Sequence, residues 1–457
     1  VVQAEEGKPN GTFLLAKPAA NANYKANVEM FAKSFAGNRN KAYATWQYFG
    51  SPVKSADRNQ LPLETTWVRK YDRTLNVPNS DEKWTDVNNG TLAQGQAYEI
   101  SQPKPATYRF IGELNTADFT FPVDGMASAT NYQDMNILAN PYTGAMSIDK
   151  LDFSGATAAD KVVYLFNTGS RKDWIANSGP TTNGPTQGQY TKAIPTNLAG
   201  HVAGMPNQIP SLSSFMVKST AAGNLKYRYA DLVTATEENR APQRHFHSLA
   251  VDVESAKTAD RLWLVQAEGT TDRYDNGWDG EKIFAPGEAA LYAMQDRSYQ
   301  VTTTDAIGET KVGFVPGDGE QNYKLTFHLD GGDGTQQYTL LDKRTGLTRA
   351  IHDGDTYEFT ATKGDAAHRF TILGNGAKAT ADQRGFQISA DLRRNFTVKN
   401  FTDQPAEALV FDAAGKIQAR FTVEPGSENT GTVVMPGAYV VRVSNKVTTL
   451  TQRFVMP

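Results

Sequence analysis

Short runs in which apolar and polar residues alternate recur along the chain, with Gly, Pro, Asn and Asp clusters separating them about every ten residues. A period of two marks half-buried strands, and turns at this spacing indicate sandwiches or barrels. Ala44 to Gly50, Thr107 to Leu114, Lys161 to Phe166 and Ser214 to Lys218 read as strands on this basis. So do the alternating Leu325, Phe327 and Leu329, and the pair Phe370 and Ile372. One stretch reads differently. Val28, Phe31 and Phe35 are spaced to share a helix face, which predicts a helix over Asn27 to Ala36.

The pattern is densest between Phe386 and Pro457. Ala408 to Phe411 is apolar, Asp412-Ala413-Ala414-Gly415 supplies a turn, and Lys416 to Val423 returns. Gly415 stands where a hairpin loop of this length needs positive φ. Ser444-Asn445-Lys446 separates two more alternating runs, so the region predicts a small sandwich of about seven strands. The fold class is therefore all-β: tandem β-sandwich domains, jelly-roll or Ig-like, ending in a small Ig-like domain.

Composition narrows the function classes. At 457 residues, with 39% hydrophobic and 10% aromatic residues, the chain has material for several cores and is no disordered polymer. A net charge of −3 gives no electrostatic footprint for nucleic acid. No apolar run approaches the roughly 20 residues of a membrane span. Cysteine is absent, which removes thiolate nucleophiles and Cys-ligated zinc. The chain begins Val1-Val2-Gln3 without Met or a signal sequence, pointing to a processed chain or the end of a longer one.

Particular motifs add a resemblance. Val410-Phe411-Asp412-Ala413-Ala414-Gly415-Lys416 and the stretch Gly437 to Lys446 resemble the C-terminal sorting domain of Bacteroidota proteins exported by type IX secretion. That family writes these stretches as a "-yd-x-x-G-k" hairpin and a "G-x-Y-x-V-x-V-x-x-x-k" ending. Gly415, Gly437, Tyr439, Val441, Val443 and Lys446 match its pattern, and the resemblance implies a sorting or assembly role for them. The family often loses this domain after export, so its presence implies a retained structural part or a form before cleavage.

Upstream, Trp46 to Val53, Gly95 to Ile100, Phe110 to Asp118, Leu138 to Asp149 and Ile209 to Val217 keep the order of five motifs of a module common in Bacteroidota surface proteins. Leu212-Ser213 replaces that module's usual glycine, a departure that bears on the turn. Tyr274 to Lys282, Leu291-Tyr292, Tyr338 to Gly346, Tyr357 to Ala361 and His368 to Ile372 resemble the module that commonly precedes a sorting domain. These resemblances give the expected limits. Residues 1–37 are an N-terminal extension or extra strand, 38–232 and 243–376 are two sandwich modules, and 380–457 is the terminal domain.

Candidate chemistry is sparse. Asp275, Asn276 and Asp279, with Asp272 and Glu281 beside them, place hard oxygen ligands in a Gly-containing loop, as calcium requires. The same residues suit a turn in which Asp and Asn accept backbone N–H groups and Trp278 packs inward. Asp330, Asp333, Asp353 and Asp355 lie in Gly-rich hairpin turns and admit the same two readings. His245 and His247, two apart, could share a metal on a strand, or could simply be solvated at a strand start. Trp67, Trp84, Trp174 and Trp278 could stack on sugars or serve as core. HExxH, G-x-S-x-G and phosphate-loop patterns do not occur.

The expectation is a non-catalytic, structural or adhesive C-terminal portion of a secreted, surface-displayed protein: a stalk, array or fibre element. Its partners would be the secretion machinery or further copies, with no resident cofactor. The alternative is a module binding a glycan, calcium or another surface protein. A hydrolase using His245 or Asp275 is the third class. An unpaired strand edge is a template for another chain, and Val447 to Val455, with Leu450 and Phe454 on one face, is the candidate strand.

Overall fold

The computed structural model describes residues 1–5, 10–19, 22–34, 44–77, 80–125, 134–167, 189–234, 245–256, 258–285, 287–332, 334–374, 385–390, 394–402, 404–446 and 449–456. Within them the chain is all-β, with single-turn 3-10 segments such as Arg58–Gln60 and no α-helix. It divides into two compact units. The first comprises residues 1–246, 274–286 and 300–303, and the second 247–273, 287–299 and 304–457. The excursions 274–286 and 300–303, which the sequence places in the second module, thus group with the first unit.

In the first unit, a four-stranded antiparallel sheet is ordered Met135–Ala139, Ser214–Lys218, Val162–Asn167, Gln189–Pro195. A second four-stranded sheet is ordered Gln47–Gly50, Ala97–Ser101, Trp67–Tyr71, Trp84–Asp86. The unit's described residues include two apolar clusters. One includes Val28, Met30, Phe49, Ile100, Phe110 and Leu212, and the other Tyr71, Trp84, Ile137, Tyr164 and Met216.

Where a helix was expected over Asn27 to Ala36, residues 27–32 are strand, and Phe35 and Ala36 lie outside the described residues. Lys25–Ala32 pairs antiparallel with Ala106–Glu113, from Lys25↔Glu113 to Ala32↔Ala106. The decisive residues are Val28, Met30 and Ala32, all fully buried at a period of two. Phe31, counted toward the helix face, is only half-buried on the other side of the strand. Tertiary pairing overrode the local spacing. Val2 joins this edge by a parallel bridge to Val28.

In the second unit, Tyr338–Asp342 and Thr310–Val315 flank His368–Gly374, with Leu347–Ile351 beyond the first and Ala290–Met294 beyond the second. A further antiparallel run is Ala259–Gln266, Ser248–Glu254, Asn322–Asp330, Thr356–Thr360. Leu325, Phe327, Phe370 and Ile372 are all buried, as their alternation requires.

Residues 385–456 form two further sheets, Phe386–Ala390, Asn395–Asn400, Glu428–Thr432 and Ile417–Val423, Ala406–Asp412, Gly437–Ser444, Thr449–Met456. These seven strands enclose one core of Phe386, Phe396, Val398, Ala408, Val410, Tyr439, Val441, Val443 and Leu450. Two sheets sharing an apolar interior make a sandwich. Phe454 packs against this core from the side Leu450 occupies, and its strand pairs on one flank with Gly437–Ser444.

Candidate functional site

The motifs of the first unit converge on one another. Asn140, fully buried, donates through Nδ2 to the carbonyls of Gly144, Ile209 and Pro210 at 2.9, 3.0 and 3.0 Å, and its Oδ1 accepts from Tyr142 N–H at 2.9 Å. A buried amide with all four contacts made is a fixed point, since each lost partner would leave a desolvated polar atom. Tyr142 donates through its hydroxyl to Ala117 O at 2.9 Å, and Ser211 Oγ donates to Tyr142 O at 2.9 Å. Three sequence motifs, Phe110 to Asp118, Leu138 to Asp149 and Ile209 to Val217, are thereby tied into one knot.

The missing glycine is visible here. Leu212 has φ +63°, a left-handed conformation that costs a non-glycine residue roughly 1–2 kcal/mol. Its side chain is 2% exposed and packs in the cluster with Phe49 and Phe110, which offsets the strain. Leu212→Gly should therefore be no worse than Leu212→Ala in urea unfolding, although glycine is ordinarily the poorer residue in a sheet-rich core. A clearly larger loss for glycine would contradict a strained Leu212.

The second unit holds a comparable knot. Asp342, fully buried, accepts from Arg369 Nη2 at 2.9 Å, Arg369 Nε at 3.3 Å, Tyr357 Oη at 2.9 Å and Arg344 N–H at 2.9 Å. Arg369 also donates to Thr360 O at 2.5 Å and lies over the rings of Phe359 and Phe370, 4.5 and 5.1 Å from their centroids. Three motifs, Tyr338 to Gly346, Tyr357 to Ala361 and His368 to Ile372, again supply the partners. The pairing of Asp342 with Arg369 was not legible in sequence, although both letters stand in the motifs.

The candidate metal residues serve a turn. Asp279 accepts from Asp275 N–H at 2.7 Å, Thr303 N–H at 2.6 Å and Thr303 Oγ at 3.0 Å. Burial pushes its carboxyl up to about 6, against the pull of those donors. Asn276 Oδ1 accepts from Lys161 N–H at 2.7 Å, and its Nδ2 donates to Ala159 O at 3.3 Å. Trp278 is half-buried and meets Phe246 edge-on at 5.7 Å. Among the described residues, no three His, Asp or Glu side chains are grouped to hold a metal.

His245 and His247 do not form a pair on a strand, because the strand begins at Ser248. Nor is His247 solvated: it is buried, with Nε2 2.6 Å from Tyr338 Oη and Nδ1 3.3 Å from Gly331 O. A carbonyl beside Nδ1 requires a proton there, so Nε2 accepts from the tyrosine. His245 is exposed. Asp353 accepts from Leu329 N–H and Asp355 from His352 N–H, as turn residues do, while Asp333 lies outside the described residues. Among the tryptophans, Trp84 is core, packed on Tyr48 and Tyr71 at 4.9 and 5.2 Å, and Trp67 is half-buried. Trp174 lies outside the described residues.

Glu288 is an acidic group the sequence did not single out. Burial first, and then Glu320, Asp260 and Asp318, push its carboxyl from 4.5 to about 7. A carboxyl raised in the folded state contributes stability below its unfolded value and loses it as pH rises through the folded one. Glu288→Gln should accordingly raise the Tm at pH 8 and give no gain at pH 4. An equal gain at both values would remove the charge explanation.

In the terminal sandwich, Gly415 has φ +79°, as the hairpin demands. Tyr439, Val441 and Val443 point into the core, and Tyr439 Oη donates to Met435 O at 2.6 Å. Gly437 opens its strand, and Lys446 is exposed in the loop before the terminal strand.

These features define a class: tandem all-β sandwiches whose distinctive residues are spent on internal knots. The chain belongs to the family described as "Domain of unknown function (DUF8693)", whose model matches residues 9–373. It is also 30% identical over 481 residues to the minor fimbrium subunit Mfa5 of Porphyromonas gingivalis, a Bacteroidota surface protein, with 100% of this chain and 38% of that protein aligned. The chain thus spans well under half the length of that relative. Among solved structures, a Faecalibacterium prausnitzii beta-glucuronidase shares 13% identity over 48% of this chain and 47% of that one, with a TM-score of 0.16. A biofilm associated protein BSP domain shares 10% over 93% and 98%, with a TM-score of 0.14. Neither score supports an argument about fold or activity.

Proposed function

We propose that this chain is a non-catalytic structural portion of a surface-displayed fibre or surface array, located outside the cell. The observation that carries the reading is the alignment of the whole of this chain with a part of a fimbrium subunit. The knots support it, because the buried Asn140, Asp342 and Arg369 face backbone and one another. Such groups rigidify a sandwich.

In this reading the terminal sandwich is a sorting and assembly module. Tyr439, Val441 and Val443 build its core, Gly415 its hairpin turn, Gly437 opens a strand, and exposed Lys446 is available to a partner. The partner is the export machinery or another copy. The test is to express the protein with and without residues 385–457 in a bacterium that has the secretion route, and to label intact cells with antibody. Surface signal should be lost without the module, while residues 1–374 stay folded by limited proteolysis. Equal labelling would overturn the sorting role.

A further inference from the structure

Two lysines and a histidine of the second unit lie together, and among the described residues none of the three makes an ion pair. Lys311 stands opposite Thr371 in the pairing of Thr310–Val315 with His368–Gly374. Tyr338–Asp342 pairs with the other flank of the same strand, and Lys343, next in sequence, donates its backbone N–H to Arg369 O at 2.8 Å. Lys343 Nζ is 3.3 Å from His368 Nδ1, and His368 Nε2 is 3.3 Å from Thr371 Oγ1. An ammonium can only donate, so the imidazole offers Nδ1 as acceptor and carries its proton on Nε2.

Two nearby carboxylates are already spent, and Glu309, which acts on Lys343 at a distance, makes no ion pair with it. Asp342 is bound by Arg369, Tyr357 and Arg344 N–H, and Asp365 by Arg344 and the Thr362 N–H. Among the described residues neither Lys311 nor Lys343 makes an ion pair. Burial, then repulsion from Lys343 and Lys311, pushes His368 down to about 4, with its backbone contact to Phe370 acting the other way. Lys343 is lowered by burial and then by Lys311, with Glu309 opposing. Partly buried like charges are costly unless an opposite charge joins them.

We propose that Lys311, Lys343 and His368 form a binding site for a tetrahedral oxyanion, a sulfate or phosphate group. Two ammonium groups and an imidazole able to take up a proton, brought together by adjoining strands, supply donors for the acceptor oxygens of such a group, while the fully buried Thr371 hydroxyl stays with the imidazole Nε2. Lys311 is exposed and Lys343 and His368 half-buried, so the site is reachable from solvent. The group is either a free ion or an ester carried on a saccharide.

The test follows the six histidines of the full chain by NMR, with His368 assigned from His368→Gln. Inorganic sulfate is the first probe because its charge is constant across the titration. Saturating sulfate should raise the His368 pKa by about one unit or more, and leave the other five histidines in place. Lys343→Met and, separately, Lys311→Met should abolish or weaken that rise, with near-ultraviolet circular dichroism confirming that each is folded. Tighter binding of glucosamine 6-sulfate than of sulfate would assign the site to an ester on a saccharide, and equal binding to the free ion. No sulfate effect on His368, or one uniform shift in all six histidines, would overturn the proposal.

Discussion

Replacing Asp342 with alanine is expected to destabilise the second unit by about 3–5 kcal/mol, the cost of stranding a buried charge. The Arg369 guanidinium, 4% exposed, would keep Thr360 O and two aromatic faces but lose the Asp342 carboxylate. Tyr357 Oη and Arg344 N–H would lose their acceptor as well. The double variant Asp342→Leu/Arg369→Met should recover much of the loss, because two apolar side chains of similar volume leave no charge unpaired. Urea midpoints for the four members of the cycle check this. A single-variant cost below about 1 kcal/mol would mean that water reaches the pair.

Phe396→Ala is expected to unfold the terminal sandwich while sparing the rest. Phe396 is fully buried, and its ring meets Tyr439 and Phe454 at 5.8 and 5.4 Å between centroids. Removing such a ring costs about 3–5 kcal/mol. A domain of this size holds only a small reserve, roughly 0.05–0.15 kcal/mol per residue, so the loss takes most of it. Calorimetry should show the module's transition shifted far down or gone, with the remaining transition in place. Surface display should fall with it. Normal display of a chain whose terminal sandwich is unfolded would show that the module's fold is not what the cell reads.

The strands were legible where one face meets a core and the other meets water. Ser214–Lys218 and the hairpin around Gly415 fall where alternation and turn chemistry put them. Asn27 to Ala36 failed because two periods coexist in it, and the sequence does not say which face will find a partner strand. Sites were harder to read. Asp342 and Arg369 are 27 positions apart and pair only because Tyr338–Asp342 and His368–Gly374 lie side by side. The cluster of Lys311, Lys343 and His368 has the same origin. Leu212 was visible as a departure, but its burial was not. His247 was taken for metal ligand or solvated residue, whereas a tyrosine from a distant strand encloses it.

The most direct measurement of the structural account is immunogold electron microscopy of the native surface, with antibody raised against residues 1–374. The account predicts gold particles on surface fibres or arrays, and bare fibres in a strain lacking the chain. Gold spread over the cell envelope, with fibres unlabelled and unaltered by the deletion, would contradict it.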